Sequence, residues 1–204
     1  MTDLKNHWQG VYAGKAEDAL TWFQDMPEVS LGLIARTGAL PDARIIDIGG
    51  GASRLVDGLL ERGFSDLTVL DIADAGLQQS KDRLGDTAAR IKWLVADITH
   101  WTPAGSFDLW HDRAVFHFLT DEKGRAAYRN TLEAALVPGG QIIIGTFALD
   151  GPESCSGLPV RRYDGEALGR ELGQGFRLEE NVLEGHVTPK GNTQHFQFSR
   201  FVRL

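Results

Sequence analysis

Residues 44 to 51 read Arg-Ile-Ile-Asp-Ile-Gly-Gly-Gly. A β-branched run of this kind is strand-like, and the glycine triplet that closes it permits a tight turn and close backbone approach. Ser53 stands as a helix cap ahead of Leu55, Val56, Leu59 and Leu60, so the stretch predicts strand, turn and helix. The same unit recurs downstream. Leu67-Thr-Val-Leu70 ends at Asp71 before a helix over Ala75 to Leu84, Ile91-Lys-Trp-Leu-Val95 runs to Asp97, and Phe107-Asp-Leu-Trp110 is a short fourth strand. The next helix is expected from Asp121 through Tyr128, Leu132 and Leu136 to a stop at Pro138-Gly139-Gly140. Gln141 to Phe147 then reads as a fifth strand buried on both faces. Beyond a Gly/Pro/Ser-rich loop, Asp150 to Pro159, lie a helix near Asp164 to Leu172 and two β-like runs, Phe176 to His186 and Thr193 to Leu204. These are expected to form an antiparallel hairpin at one sheet edge. Upstream, Val29, Leu33 and Ile34 recur at helical spacing within Pro27 to Thr37. An N-terminal cap containing His7, Trp8, Tyr12, Trp22 and Phe23 precedes them.

Strands alternating with helices imply right-handed crossovers and a parallel sheet. The expected fold is therefore α/β: a Rossmann-like, mostly parallel seven-stranded sheet with helices on both faces and a C-terminal antiparallel hairpin. A chain of 204 residues with 42% hydrophobic and 24% charged residues fits one domain,. Within it, residues 1–40 would form a cap or lid, 41–150 a cofactor-binding core, and 151–204 a substrate loop, helix and hairpin. Twenty-one Lys and Arg against 28 Asp and Glu give a net charge of −7, which repels nucleic acid and anionic lipid,. The single cysteine, Cys155, excludes an internal disulfide, and no His/Cys spacing supports a metal site. The first residues lack the pattern of a secretory or transit segment, and no apolar run reaches membrane-spanning length. The reading is thus of a soluble, cytoplasmic monomer or small homo-oligomer.

In an open α/β sheet the ligand lies beyond the carboxyl ends of the strands. Asp47, Asp71 and Asp97 would all stand on that rim, beside the bare backbone of Gly49, Gly50 and Gly51. Arg54 occupies the place of the third glycine of a dinucleotide fingerprint, and no Gly-Lys-Ser/Thr follows for a phosphate loop, so NAD and ATP are disfavoured. Carboxylates suit a ligand bearing hydroxyls, amino groups and positive charge.

These residues resemble class I S-adenosylmethionine-dependent methyltransferases. Asp47-Ile-Gly49-Gly-Gly51 looks like their first motif, Asp71 their ribose-binding acid, and Ala96-Asp97-Ile98 their adenine-contacting stretch. The resemblance implies S-adenosyl-L-methionine as cofactor, with Ile72 and Ile98 beside the two acids, while Trp8, Tyr12, Trp22 and Phe23 would serve either as a hydrophobic staple between cap and core or as an aromatic lid over the sulfonium and acceptor. The segment Phe107 to Leu119 would then choose the acceptor. Its Asp112-Arg113-Ala114 resembles the Asp-Arg-Gly-Ala pattern of thiopurine-methyltransferase-like small-molecule enzymes. It departs from the Asp-Lys-Gly-Thr pattern of protein lysine methyltransferases, where His117 would take the place of a later Asp. Trp8 with Tyr12-Ala-Gly14 and the Gly-Leu-Pro159 stretch are similar to the small-molecule group, whereas Trp22-Phe23 and Gly63 to Leu70 resemble elongation-factor lysine methyltransferases.

By this resemblance Arg113 is expected to stabilise a thiolate or similar anion, in agreement with the effect of a guanidinium on a nearby thiol. His117 is a candidate proton acceptor, and Asp112 completes the catalytic set. His111, Phe116, Phe23 and Cys155 are expected to touch the acceptor, while His186 and His195 read as ordinary strand residues. The favoured activity is methyl transfer to a small thiol or related chalcogen compound. A protein-lysine methyltransferase is the alternative, and a non-catalytic adenosine-binding module is a third reading.

Overall fold

The computed structural model describes residues 2–204. Five parallel strands, β1 (Arg44–Ile48), β2 (Asp66–Asp71), β3 (Ile91–Val95), β4 (Phe107–Arg113) and β5 (Leu136–Phe147), are joined by helical crossovers except between β3 and β4, where the connection is a turn and loop without a helix. The hairpin of β8 (Phe176–Val187) and β9 (Thr193–Arg203) completes a seven-stranded sheet in the order β3-β2-β1-β4-β5-β9-β8, with β9 antiparallel to both neighbours. A two-stranded ribbon, β6 (Ser154–Cys155) and β7 (Leu158–Pro159), stands apart. Its turn is made by Ser156 and Gly157, both with positive φ, as two-residue hairpins require,.

Strand alternation sorts the apolar residues into two cores. Ile45 and Ile143 face the helices α2 (Glu28–Arg36), α3 (Leu55–Glu61) and α4 (Asp74–Leu84) through Leu31, Leu33, Leu55, Leu59 and Leu77. Ile46, Ile48, Ile142 and Ile144 face α5 (Glu122–Ala135) and α6 (Gly165–Leu172) through Tyr128, Leu132, Leu168 and Leu172. The N-terminal section contains a helix of its own, α1 (Thr2–Ala13), packed on α4: Ala75 N–H donates to Gln9, and Gln79 Nε2 donates to the Tyr12 carbonyl at 2.8 Å.

Boundaries differ from expectation in three places. β4 runs on to Arg113, so Asp112 and Arg113 are strand residues. β3 stops at Val95, leaving Asp97 in the turn beyond it. α5 ends at Ala135, before the Pro-Gly-Gly stop, because Leu136 is already extended and paired with Phe107, and Arg203 satisfies the carbonyls of Glu133 and Leu136. Ser53 does accept the Leu55 N–H at 3.1 Å, although the cap position of α3 is Arg54. No helix among the described residues is long and apolar enough to cross a membrane.

Candidate active site

The glycine turn is shaped by its neighbours on every side. Gly49 and Gly50 N–H both donate to the Leu70 carbonyl, at 2.7 and 3.2 Å, tying the turn to the end of β2. Gly49 and Gly51 have positive φ, and a Cβ would overlap Val115 at the first and the Tyr12 hydroxyl at the second,. Ser80 Oγ donates to the Gly51 carbonyl at 2.7 Å, and Arg83 reaches the Ser53 carbonyl at 3.0 Å.

The turn opens onto a largely apolar cleft. Asp71, Ile72, Asp97 and Ile98 line one end of it, and Gly49 forms part of the floor. Asp71 accepts the Ala73 N–H on Oδ1 at 2.8 Å. Burial is the main force that pushes its carboxyl up to about 7, and the charge of Asp47 adds to it. Its second oxygen faces the Gly51 and Tyr12 side. Asp97 folds into a turn with Thr99, whose N–H and hydroxyl donate to Oδ1 at 2.9 and 2.7 Å. Gly50 and Gly51 belong to the turn behind the cleft surface, Gly51 beneath Tyr12. Asp47, from the same motif, is turned into the protein: its Oδ1 is 2.7 Å from His111 Nδ1, and His111 Nε2 is 2.9 Å from Ser30 Oγ.

Aromatic side chains form the roof. Trp8, Tyr12 and Trp22 line the cleft, Trp8 and Trp22 pack edge-to-face at 5.8 Å, and Phe118 meets Trp8 at 5.1 Å. Tyr12, expected from sequence in a staple or an aromatic lid, lines the cleft, and its ring also lies where a side chain at Gly76 would be. Phe23 stands outside this cleft, 5.3 Å beneath Arg54, so its expected place beside the acceptor is corrected.

At the other end, Arg113, Phe147, Phe196 and Cys155 line the wall. The guanidinium of Arg113 stacks on Phe196 at 4.7 Å and donates through Nη1 to the Trp22 carbonyl at 2.9 Å. Its Nε and Nη2 are buried without a partner. Burial lowers its pKa, while Glu184, Cys155 and Asp47 favour its charge. Burial likewise pushes the Cys155 thiol up, against the opposing effects of Ser156 and Arg113.

Four expected site residues stand behind this surface. Asp112 is fully buried and accepts the Val115 and Phe116 N–H groups and, at 2.7 Å, the Tyr128 hydroxyl. Its carboxyl, raised to about 6 by burial, holds the turn after β4 and does not line the cleft. Phe116 is a core residue packed on Tyr128. His111 is the buried bridge from Asp47 to Ser30, so its expected contact with the acceptor is corrected. His117 is fully buried, and its Nδ1 accepts a long bond from Phe147 N–H at 3.4 Å. Burial and the nearby charge of Arg113 push its pKa down to about 3. It packs against Phe118 and Phe147 and does not line the cleft, away from the place expected of a proton acceptor.

Residues 45–140 match the family described as "Methyltransferase domain". Over 109 residues the chain is 35% identical to malonyl-(acyl-carrier protein) O-methyltransferase of Anoxybacillus flavithermus, covering 52% of this chain and 40% of that protein. Over 120 residues it is 25% identical to the eEF1A lysine and N-terminal methyltransferase of Bos taurus, covering 58% and 17%. The chain thus spans less than half the length of these curated relatives. Among solved structures, the 1,6-didemethyltoxoflavin-N1-methyltransferase of Burkholderia thailandensis, with 1,6-didemethyltoxoflavin and S-adenosylhomocysteine bound, superposes with TM-score 0.72 at 20% identity, covering 99% of this chain and 85% of that one. The match to the methyltransferase-domain family lies on residues 45–140, the stretch that carries the glycine turn and the two rim acids, and the chain as a whole shares the fold of the superposed structure.

Proposed function

We propose that the protein is an S-adenosylmethionine-dependent methyltransferase whose acceptor is a small nucleophile, a thiol or related chalcogen compound. The residues present fit the cofactor. Asp71 offers a buried carboxyl oxygen for ribose hydroxyls, Asp97 and Ile98 border the adenine end, and the glycine turn, too tightly packed against Val115, Val69 and Tyr12 for side chains, presents bare backbone to the cleft at Gly49. When bound, S-adenosylmethionine supplies an electrophilic methyl group and leaves as S-adenosylhomocysteine, so a thiolate acceptor becomes a methyl thioether. The chain's part is alignment and exclusion of water, for which the Trp8, Tyr12 and Trp22 roof is placed.

The observation that carries the acceptor reading is Arg113, a buried cation with two free donors in an otherwise aromatic wall. Such a group lowers the pKa of a nearby thiol and favours its nucleophilic form. The thiol proton passes to solvent, because His117 does not line the cleft and Asp112 is engaged by the turn. Protein-lysine methylation, the second reading, has the match to the eEF1A enzyme in its favour, but a lysine ammonium would meet the like charge of Arg113.

The test is transfer of labelled methyl from S-adenosylmethionine to a pool of small thiols and to a protein lysate. Label in the thiol pool is expected. Label in protein would replace this reading with lysine methylation, and cofactor binding without transfer to either pool would leave a non-catalytic adenosine-binding module. Arg113→Ala is expected to lower thiol turnover at least tenfold with little change in S-adenosylhomocysteine affinity. Equal loss of both would reassign Arg113 to the cofactor.

A further inference from the structure

The two charged groups assigned to the ligands are shut off from solvent. Asp71 is 3% exposed, and Nε and Nη2 of Arg113 are buried. Both residues line the cleft, with Trp8, Tyr12 and Trp22 over it. A ligand that reaches either group therefore needs part of the roof to move. The helix that carries Trp8 and Tyr12, α1, is packed on α4. Residues 14–27, which carry Trp22, contain a single helical turn, Glu17–Ala19, and no other regular element.

Three side chains from strands far away in the chain hold this segment at three close points. His186 Nε2 donates to the Thr21 carbonyl at 2.8 Å, Arg113 Nη1 donates to the Trp22 carbonyl at 2.9 Å, and Glu184 Oε1 accepts from Gln24 Nε2 at 2.8 Å. A carbonyl only accepts, so His186 carries its proton on Nε2. Glu184 and His186 are alternate residues of β8 and share one face of it,. β8 is the edge of the sheet, and none of its residues lines the cleft. Its hold on Thr21 and Gln24 thus acts on the roof and not on a ligand.

We propose that Glu184 and His186 are positioning residues that fasten residues 21–24 as a strap across the cleft, and that ligands enter and leave when the strap lifts. This rests on the assignment of the cleft to cofactor and acceptor given above. A fastening of this kind sets a rate. Loss of one of its hydrogen bonds favours lifting equally in the empty and the occupied protein, so association and dissociation quicken together and affinity stays nearly constant. A residue that touched the ligand would change the affinity.

The test has a reporter that needs no cofactor. Cys155 is the single cysteine of the chain, is buried and lines the cleft, so its alkylation by iodoacetamide, followed by mass spectrometry, reads lifting of the strap. The variants are His186→Phe, which keeps a ring beside Phe196 without the donor, and Gln24→Ala, which releases Glu184. Each is expected to raise the alkylation rate about fivefold, the order that one hydrogen bond supplies. In stopped-flow tryptophan fluorescence, association and dissociation of S-adenosylhomocysteine should quicken by a similar factor, with Kd shifted less than about twofold. Unchanged alkylation in both variants overturns the proposal, as does a weakened Kd at an unchanged association rate, the mark of a lost ligand contact. Alkylation of the wild type that rises with urea as steeply as global unfolding shows that the thiol is exposed only by unfolding, and overturns it too. Faster alkylation in variants of a protein that does not bind S-adenosylhomocysteine supports the strap and overturns the cofactor reading alone.

Discussion

At Asp71, burial raises the carboxyl, the Ala73 N–H partly offsets this, and the charge of Asp47 raises it again, leaving it at about 7 against an ordinary 3.8. The folded protein therefore holds a proton that the unfolded chain releases. Its contribution to stability is full below pH 3.8 and is lost as pH rises through about 7. Asp71→Asn removes that loss while keeping an acceptor for Ala73. Its melting temperature, relative to wild type, should be higher at pH 8 than at pH 5, and its affinity for S-adenosylhomocysteine should fall at least tenfold; a pH-independent difference or unchanged affinity would remove both the strain and the ribose from Asp71. Ala114 is a second special position. It has φ 71°, in the left-handed region that disfavours a Cβ,, at the place where both resembling patterns carry glycine. Ala114→Gly is expected to stabilise the fold by up to ~1 kcal/mol in urea denaturation, since the left-handed cost for an L-residue is about 1–2 kcal/mol and glycine's added chain entropy returns part of it. A loss of stability would show that the turn is held by Asp112 without strain.

Between elements, β4 and α5 are joined by a buried chain in which Trp110 Nε1 donates to the Tyr128 hydroxyl at 2.8 Å and that hydroxyl donates to Asp112 at 2.7 Å. Tyr128→Phe leaves an indole N–H without an acceptor and a carboxylate without a donor. It should cost about 1–3 kcal/mol of stability by denaturant titration, and a change under 0.5 kcal/mol, roughly the range of surface substitutions, would mean that water replaces the hydroxyl. The segment linking α1 to α2 is tied to the core by Glu17, which meets both Arg54 and Arg83, while Arg83 also pairs with Asp57 at 2.7 Å. The two guanidinium groups hold the Glu17 carboxyl below the usual range despite its burial. Glu17→Gln should accelerate amide hydrogen exchange through residues 14–26 while leaving β1 to β5 protected; uniform acceleration would show that the segment opens only with the whole fold.

For the molecule as a whole, a ligand that binds only the folded state stabilises it by mass action. S-adenosylhomocysteine at one hundred times its Kd should raise the unfolding free energy by about 2.7 kcal/mol. The accompanying hydrogen-exchange protection should fall on α1, the glycine turn and the ends of β2 and β4, because the cleft is closed by all four. Stabilisation without protection of α1 would leave the cofactor held by the sheet rim alone. The strand order explains why this end of the molecule carries the site. β1 lies between β2 and β4, so its turn, the end of β2 and the turn after β4 open onto one cleft,.

Local pattern determined most of the architecture: the β-branched runs, the glycine turn and the alternation of units carry the parallel order, and the acids at 71 and 97 stand at the rim because a strand's end fixes where its next side chains go. The sequence could not separate rim from interior. Asp47 and His111 look like site residues, yet they face each other across adjacent strands. Asp112, Phe116 and His117 flank Arg113 in sequence, yet β4 runs past its expected end at Trp110 to Arg113 and the tight turn beyond buries all three. Gln24 and Glu184 carry no local signal, because their pairing joins segments far apart in the chain. Strand ends are set by local chemistry, whereas the direction and pairing of a side chain are decided by register and packing, which exist only once the sheet has formed.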